Sequence, residues 1–324
     1  MTDPHLDLKL KAVIDWVEVR IKLRGLTQFR HVQSRLESSA AWGGKAPHVH
    51  EERVGGRSLV TFRVQDPACP ADLLRRVQAA ACPGTPAIVD DDIEIVAVEL
   101  ALDLYSAVPD REALVDAALH LYRHHARPPE EPAGGFPRLC RPARRIAAAD
   151  IREVRAALAE GATINAGSPD AAYHARYYVK AHDTIGGVRY ALLPSSQHRA
   201  RMEITLSGTE LPFASMATWR AFRFETLAGR FSLRLPVSPT VRPSLLTLAK
   251  LLQARAVRFG VPANAARAAT HKRTTRAWTR TDGTWAERAR DALRALTRAH
   301  QRPARARQLS GIRAGSDRPS SLAP

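Results

Sequence analysis

Alternation of apolar and polar positions marks several strands along the chain. AVIDWVEVRIKL (12–23), SLVTFRVQDP (58–67) and IEIVAVELALDLYS (93–106) alternate well enough to predict extended structure. Further extended segments are expected at ATINAGS (162–168), YHARYYVK (173–180), VRYALLP (188–194) and ARMEITLSG (200–208). Between them, apolar residues recur at helical spacing. TQFRHVQSRLES (27–38) predicts a helix with Thr27 as N-cap. PADLLRRVQAA (70–80) predicts a short one with proline in its first turn. PDREALVDAALHLYRHHA (109–126) starts acidic and ends basic, as a helix dipole favours. IAAADIREVRAALAEG (146–161) is a helix that Gly161 can end. PFASMATWRAFRFETLAG (212–229), PSLLTLAKLLQARAVRFG (243–260) and TWAERARDALRALTRAHQ (284–301) complete the helical set. RPPEEPAGGFP (127–137) is expected as a loop, and no repeat of fixed period is found. The order predicts an α+β domain, with an antiparallel or mixed sheet covered by helices on one side. A basic helical region over 236–301 and a disordered tail over 302–324 are expected to follow a first domain of residues 1–235.

Charge changes this picture at one end. The chain of 324 residues carries a formal net charge of +17. Residues 241–324 hold 18 Lys+Arg against 4 Asp+Glu, so that quarter is a polycation on a nearly balanced body. Such a segment suits a phosphate backbone and predicts salt-sensitive nucleic-acid binding. No apolar run is long enough to predict a membrane span, and the N-terminus lacks the apolar stretch of a signal peptide. Cys69, Cys82 and Cys140 show no metal-ligand spacing and are expected as reduced thiols of a cytoplasmic protein.

Three strands carry a second, chemical face. Strand residues alternate sides. In VELALDLY, Val98, Leu100, Leu102 and Leu104 point one way, and Glu99, Ala101, Asp103 and Tyr105 the other. In ARMEITLSG, Met202, Ile204 and Leu206 oppose Arg201, Glu203 and Thr205. In ARYYVK, Arg176, Tyr178 and Lys180 share a side, while Tyr177 and Val179 face away. If the polar faces coincide, Glu99, Asp103 and Glu203 offer the hard oxygen ligands that Mg²⁺ or Mn²⁺ requires. A tyrosine is a weak nucleophile at neutral pH, and a cation beside it favours the phenolate. The competing expectation is a solvated polar face of an open antiparallel sheet.

The stretch TINAGSPDAAYHARYYVKAHD (163–183) resembles the signature of the replication initiation factor (Rep_trans) family of rolling-circle initiators. Thr163, Gly167, Ser168, Arg176, Tyr178 and Lys180 fill the signature's places. VELALDLY is similar to the family's acidic strand, with Glu99 where aspartate is more usual. ARMEITLSG is similar to its Arg-x-Glu strand and IDWVEV, with Asp15 and Trp16, to its opening strand. The resemblance spans about residues 12–235. It implies that residues 1–235 form a nicking domain in which Tyr178 attacks a DNA phosphodiester at an origin. A 5′-phosphotyrosyl link forms, and the freed 3′-hydroxyl primes synthesis. It further implies Mg²⁺ or Mn²⁺ on Glu99, Asp103 and Glu203. Lys180 would support the tyrosinate, and Arg176 or Arg201 the phosphate. The implied partners are origin DNA, double- and single-stranded, and host replication machinery such as a helicase. The alternatives are a non-catalytic DNA-binding protein on the same fold and an RNA-binding α+β domain.

Other candidates have simpler expectations. HVH (48–50) is a His-apolar-His pair that could hold a metal from a strand, but it sits between Pro47 and a Gly-Gly pair, as a loop does. His124 and His125 end a helix, where a cationic face is the simple reading. Tyr177 is the rival nucleophile. Asp15 can approach the site from an early strand or act at an edge, and Asp183 can contribute or merely end its strand. GSP (167–169) is a turn without phosphate-loop spacing. Trp278 and Trp285, set among arginines, either stack on bases or anchor a helix.

Overall fold

The two longest strands, β1 (Lys9–Lys22) and β4 (Ile93–Tyr105), lie side by side at the middle of the sheet. The computed structural model describes residues 7–23, 27–42, 47–54, 57–126, 138–139, 151–168, 170–185, 189–236 and 279–302. Strands β2 (His50–Val54), β3 (Arg57–Gln65), β5 (Arg138–Leu139), β6 (Ile164–Ala166), β7 (Tyr173–Lys180) and β10 (Arg199–Ser207) join them. The order is β2-β3-β1-β4-β10-β7-β6-β5, and every pairing is antiparallel. The α+β expectation therefore holds. Strands β8 (His182–Ile185) and β9 (Arg189–Leu192) form a separate hairpin beyond the end of β7.

Residues directly opposite in an antiparallel pair share a face. The register places Tyr177, Met202 and Leu102 in one row across β7, β10 and β4. All three are buried, as are their neighbours Leu100, Leu104, Ile204 and Val179. Helix α3 (Arg111–His124) packs on this face through Leu114, Val115, Leu121 and Tyr122. The Tyr122 and Tyr177 rings meet edge to face at 5.5 Å. Helix α4 (Ile151–Ala159) packs on α3. Helices α1 (Phe29–Ser38) and α2 (Pro70–Gln78) add Val32, Leu36, Leu73 and Val77 to the same core. The expected Thr27 cap is not used. Gln28 holds that position without a side-chain bond, and Ser58 binds the Thr27 backbone.

The His124–His125 pair is no cationic face, because both rings are buried. His125 Nδ1 lies 2.6 Å from the Tyr177 hydroxyl, and Nε2 lies 2.7 Å from the Arg230 carbonyl. Tyr177 is thus fixed into the core by a polar contact at its tip, as buried tyrosines usually are.

The helix expected over 212–229 is interrupted. Helix α5 (Met216–Ala221) stops at Phe222, and a 3-10 helix spans Phe224–Phe231. Phe222 adopts extended backbone, which lets its ring contact Phe213 and Phe224. The freed Phe224 amide donates to Thr297 Oγ1 at 2.9 Å. Tertiary packing overrides helical periodicity here.

Thr297 belongs to α6 (Gly283–His300), capped by Asp282, whose carboxylate accepts from the Trp285 amide. Although basic on its outer side, α6 buries Trp285, Ala289 and Leu293 against β1 and the 3-10 helix. Trp285 Nε1 donates to the Phe231 carbonyl at 2.7 Å, so this tryptophan anchors the helix. Strands β11 (Arg234–Pro236) and β12 (Thr279–Thr281) pair just before it, across the sequence boundary expected near 235. Residues 237–278, with the helix expected at 243–260 and Trp278, lie outside the described residues, as do Cys140 and the tail from 303. Cys69 and Cys82 are free thiols. Among the described residues, no helix is long and apolar enough to cross a membrane.

Because Trp285 is fully buried, Trp285→Ala is expected to cost about 3–5 kcal/mol in urea unfolding of the whole chain. A loss below about 1 kcal/mol would mean that α6 is an appendage rather than part of the core.

Candidate active site

The opposite face of the sheet is polar because the same register aligns its charged residues. One row reads Tyr178, Arg201, Asp103 and Lys11 across β7, β10, β4 and β1. The next row toward one edge begins with Arg176 and Glu203, and the one after it with His174, Thr205 and Glu99. The alternating residues of the three strands therefore form one surface: their chemical faces do coincide.

A fourth strand contributes through a β-bulge. Ile14 pairs with Leu100 and Trp16 with Glu99, leaving Asp15 as the extra residue on β1. Bulges re-aim side chains and are common beside active sites. Here the bulge shifts the phase of alternation, so Ile14 faces the core before it and Val17 after it. Asp15 is directed onto the polar face, where its carboxylate lies 2.7 Å from Arg201 Nη1. The Asp66 amide donates to the Asp15 carbonyl at 2.7 Å. Asp66 itself adopts a positive φ of 45°, uncommon for a residue with a side chain. On the other side of the site, Gly167 (φ 89°) turns the chain from β6 into β7. A Cβ there would lie 3.3 Å from the Tyr173 carbonyl.

Tyr178 is half-buried, and its hydroxyl donates to Glu203 Oε1 at 2.6 Å. Glu203 is fully buried and Glu99 is 2% exposed. Arg176 Nη2 reaches Glu99 Oε1 at 2.5 Å and lies 2.7 Å from Glu203 Oε2. Thr205 donates to Glu99 Oε2 at 2.7 Å. Arg201 clamps Asp103 with two bonds, 2.5 Å from Nε and 2.8 Å from Nη2, and also reaches Glu203 Oε1 at 3.2 Å. Arg199 adds an ion pair to Asp103 at 3.1 Å. Lys180 lies at the rim, 3.6 Å from Asp183.

One oxygen each from Asp15, Glu99 and Glu203 lies within 4.8 Å of the other two. Glu99 and Glu203 of the expected metal set are thus brought together, and Asp15 joins them. Asp103 is taken up by Arg201 and Arg199 instead. Glu203 Oε2 accepts no hydrogen bond although buried, despite the nearby Arg176. Octahedral Mg²⁺ bonds of about 2.1 Å hold ligand oxygens no more than about 4.2 Å apart. Three oxygens on one such ion include pairs only about 3.0 Å apart, so the trio has to draw together to close on it, and its all-carboxylate chemistry is that of a site for a hard divalent cation.

Burial and the neighbouring Glu203 push the Glu99 carboxyl up to about 7, against the opposing pull of Arg176. Burial, then Glu203, raises the Tyr178 phenol well above its usual value, while Arg201 pulls it down. Arg201, its cross-strand partner, acts on the phenol, Arg176 also feels the phenol charge, and Lys180 lies beside Asp183. Burial and Arg176 push His174 down to about 4, leaving it neutral beside the acids. His48 and His50 line the same open groove as Tyr178 but stand outside the carboxylate trio. His50 opens edge strand β2, where a loop was expected.

No protein-family model matches the chain, and no curated protein matches it. A rolling circle replication initiator protein from Geobacillus stearothermophilus gives a structural match at 13% identity, covering 88% of this chain and 97% of that one. Its TM-score is 0.30, and a likeness at that level bears on neither fold nor function.

The raised Glu99 carboxyl gives a pH-dependent stability. Between the unfolded value near 4.5 and the folded value near 7, the native chain holds a proton that the unfolded chain has released. Stability from this group is full below about pH 4.5 and is lost as pH rises toward 7, by at most about 1.4 kcal/mol per pH unit. Glu99→Gln is expected to flatten that slope in unfolding measured from pH 5 to 7.5. Equal slopes in the two proteins would contradict the assignment.

Proposed function

We propose that this protein is a rolling-circle replication initiator that nicks and rejoins DNA through Tyr178. The observation that carries this reading is the Tyr178 hydroxyl bound to Glu203, within a buried trio of acids able to hold a divalent cation. Glu203 Oε1 is placed to take the phenolic proton as Tyr178 Oη bonds to the phosphorus. The P–O3′ bond breaks with its electron pair going to the 3′-oxygen, which takes a proton from water. The joining step is the reverse. Arg201 is locked by Asp103 and lies next to the phenol, so it stabilises phenolate charge without moving. Arg176 is one-third exposed and can turn from the acids to a phosphate oxygen. A Mg²⁺ or Mn²⁺ ion on Asp15, Glu99 and Glu203 would supply Lewis-acid polarisation of that phosphate. The substrate would be origin DNA, and the freed 3′-hydroxyl would pass to host replication machinery, with a helicase to open the duplex.

One observation favours a second reading, a non-catalytic DNA-binding protein on the same fold. Arg176, Arg199 and Arg201 pair with all four carboxylates of the site.

The two are separated by incubating the protein with a labelled pool of random single-stranded DNA and Mn²⁺, then resolving covalent adducts under denaturing conditions. An adduct is expected, reduced at least 100-fold by Tyr178→Phe. Tyr177→Phe should keep the adduct while losing about 1–3 kcal/mol of stability, through the lost contact to His125. Equal adduct from Tyr178→Phe would refute the nucleophile. No adduct with any divalent metal would favour the non-catalytic reading.

A further inference from the structure

The polar face divides into two halves of opposite sign, with Tyr178 between them. On one side lie Asp15, Glu99 and Glu203, paired with Arg176 and, from the Tyr178 row, with Arg201. On the other side, one row further along the strands, the register aligns Lys180, Arg199, Tyr105 and Lys9 across β7, β10, β4 and β1. Lys11 stands next to Lys9 on the same face, at the end of the Tyr178 row. Carboxylates facing this half include Asp103, which is paired with Arg201 and Arg199, Asp183 at the rim beside Lys180, and Asp66, which also feels the Lys180 charge.

We infer that this basic row binds a single-stranded nucleic acid, laid across the strands beside Tyr178. The inference rests on the proposed DNA-nicking function and specifies where its strand runs. Four adjacent strands at about 4.8 Å spacing give the row a length of about 14 Å. At roughly 3.4 Å per stacked nucleotide, that length accepts more than one phosphate. Lys9 and Lys11 are exposed, and neither forms an ion pair among the described residues. Their undersides are fixed, because Leu8, Ala12 and Ile14 of the same strand are buried in the core. Tyr105 supplies an aromatic ring in the middle of the row, with the Arg199 guanidinium 5.7 Å from its centre. An aromatic among aligned cations is what binds single strands without regard to sequence: rings stack on bases while cations follow phosphates. The opposite sign of the two halves also sets orientation. The acids repel a polyanion except where a cation covers them, so the strand enters over the basic half and reaches the acids only at the reacting phosphate.

The test uses the full chain and fluorescent oligothymidine, with anisotropy measured over a range of salt. Each lost phosphate contact lowers the salt slope of a single strand by about 0.7. Lys9→Gln/Lys11→Gln is expected to lower the slope by about 1.4. Tyr105→Leu should weaken binding roughly tenfold and leave the slope in place. A parental slope in the double variant, with an unchanged thermal midpoint, would overturn the inference. The adduct assay on the parent protein decides the catalytic reading separately. A lowered slope without any adduct upholds the binding row and sinks the nicking function, whereas an adduct with an unchanged slope does the reverse.

Discussion

The polar face is organised by one buried guanidinium, Arg201. Its side chain is 3% exposed, so its charge has to be met inside the protein. It meets Asp103 on β4, Asp15 on β1 and Glu203 on its own strand. Those contacts tie three strands at the level where the site forms. Removing one partner of such a buried pair generally costs about 3–5 kcal/mol, because the other charge is left stranded. The same clamp explains the division of labour among the acids. Asp103 is consumed in holding Arg201, which leaves Glu203 and Glu99, with Asp15, to form the carboxylate trio.

A second consequence concerns charge balance. Arg176 lies between Glu99 and Glu203, close to where a divalent ion would act. It is far less confined than Arg201, and its Nε has no partner. Of the two arginines, it is the one that can yield its place. The site is thus held by a fixed cation and a movable one, a suitable starting point for exchange with a metal and a phosphate.

Much of this arrangement was legible in the sequence. Period-two alternation in 98–105, 173–180 and 200–207 sorts Glu99, Asp103, Arg176, Tyr178, Arg201 and Glu203 onto polar sides. It also sends Tyr177 inward, where His125 holds it. Whether those sides meet depends on register, a long-range property that alternation within single strands does not contain. Asp15 was harder to place. Its sign is a phase slip, in which core residues sit at 12 and 14 and then at 17, 19 and 21. That slip is the trace of the bulge, and it can be read only once β1 is known to pair with β4. The break at Phe222 and the burial of Trp285 depend on contacts between segments far apart in the chain, to which local periodicity is blind.

On the proposed reading, the bulge at Asp15 completes a cation site with Glu99 and Glu203 beside Tyr178. Titration with Mn²⁺ followed by electron paramagnetic resonance tests it without recourse to activity. One saturable ion per chain is expected, with affinity at least tenfold weaker in Asp15→Asn. Absence of saturable binding in the parent, or equal affinity in the variant, would contradict it.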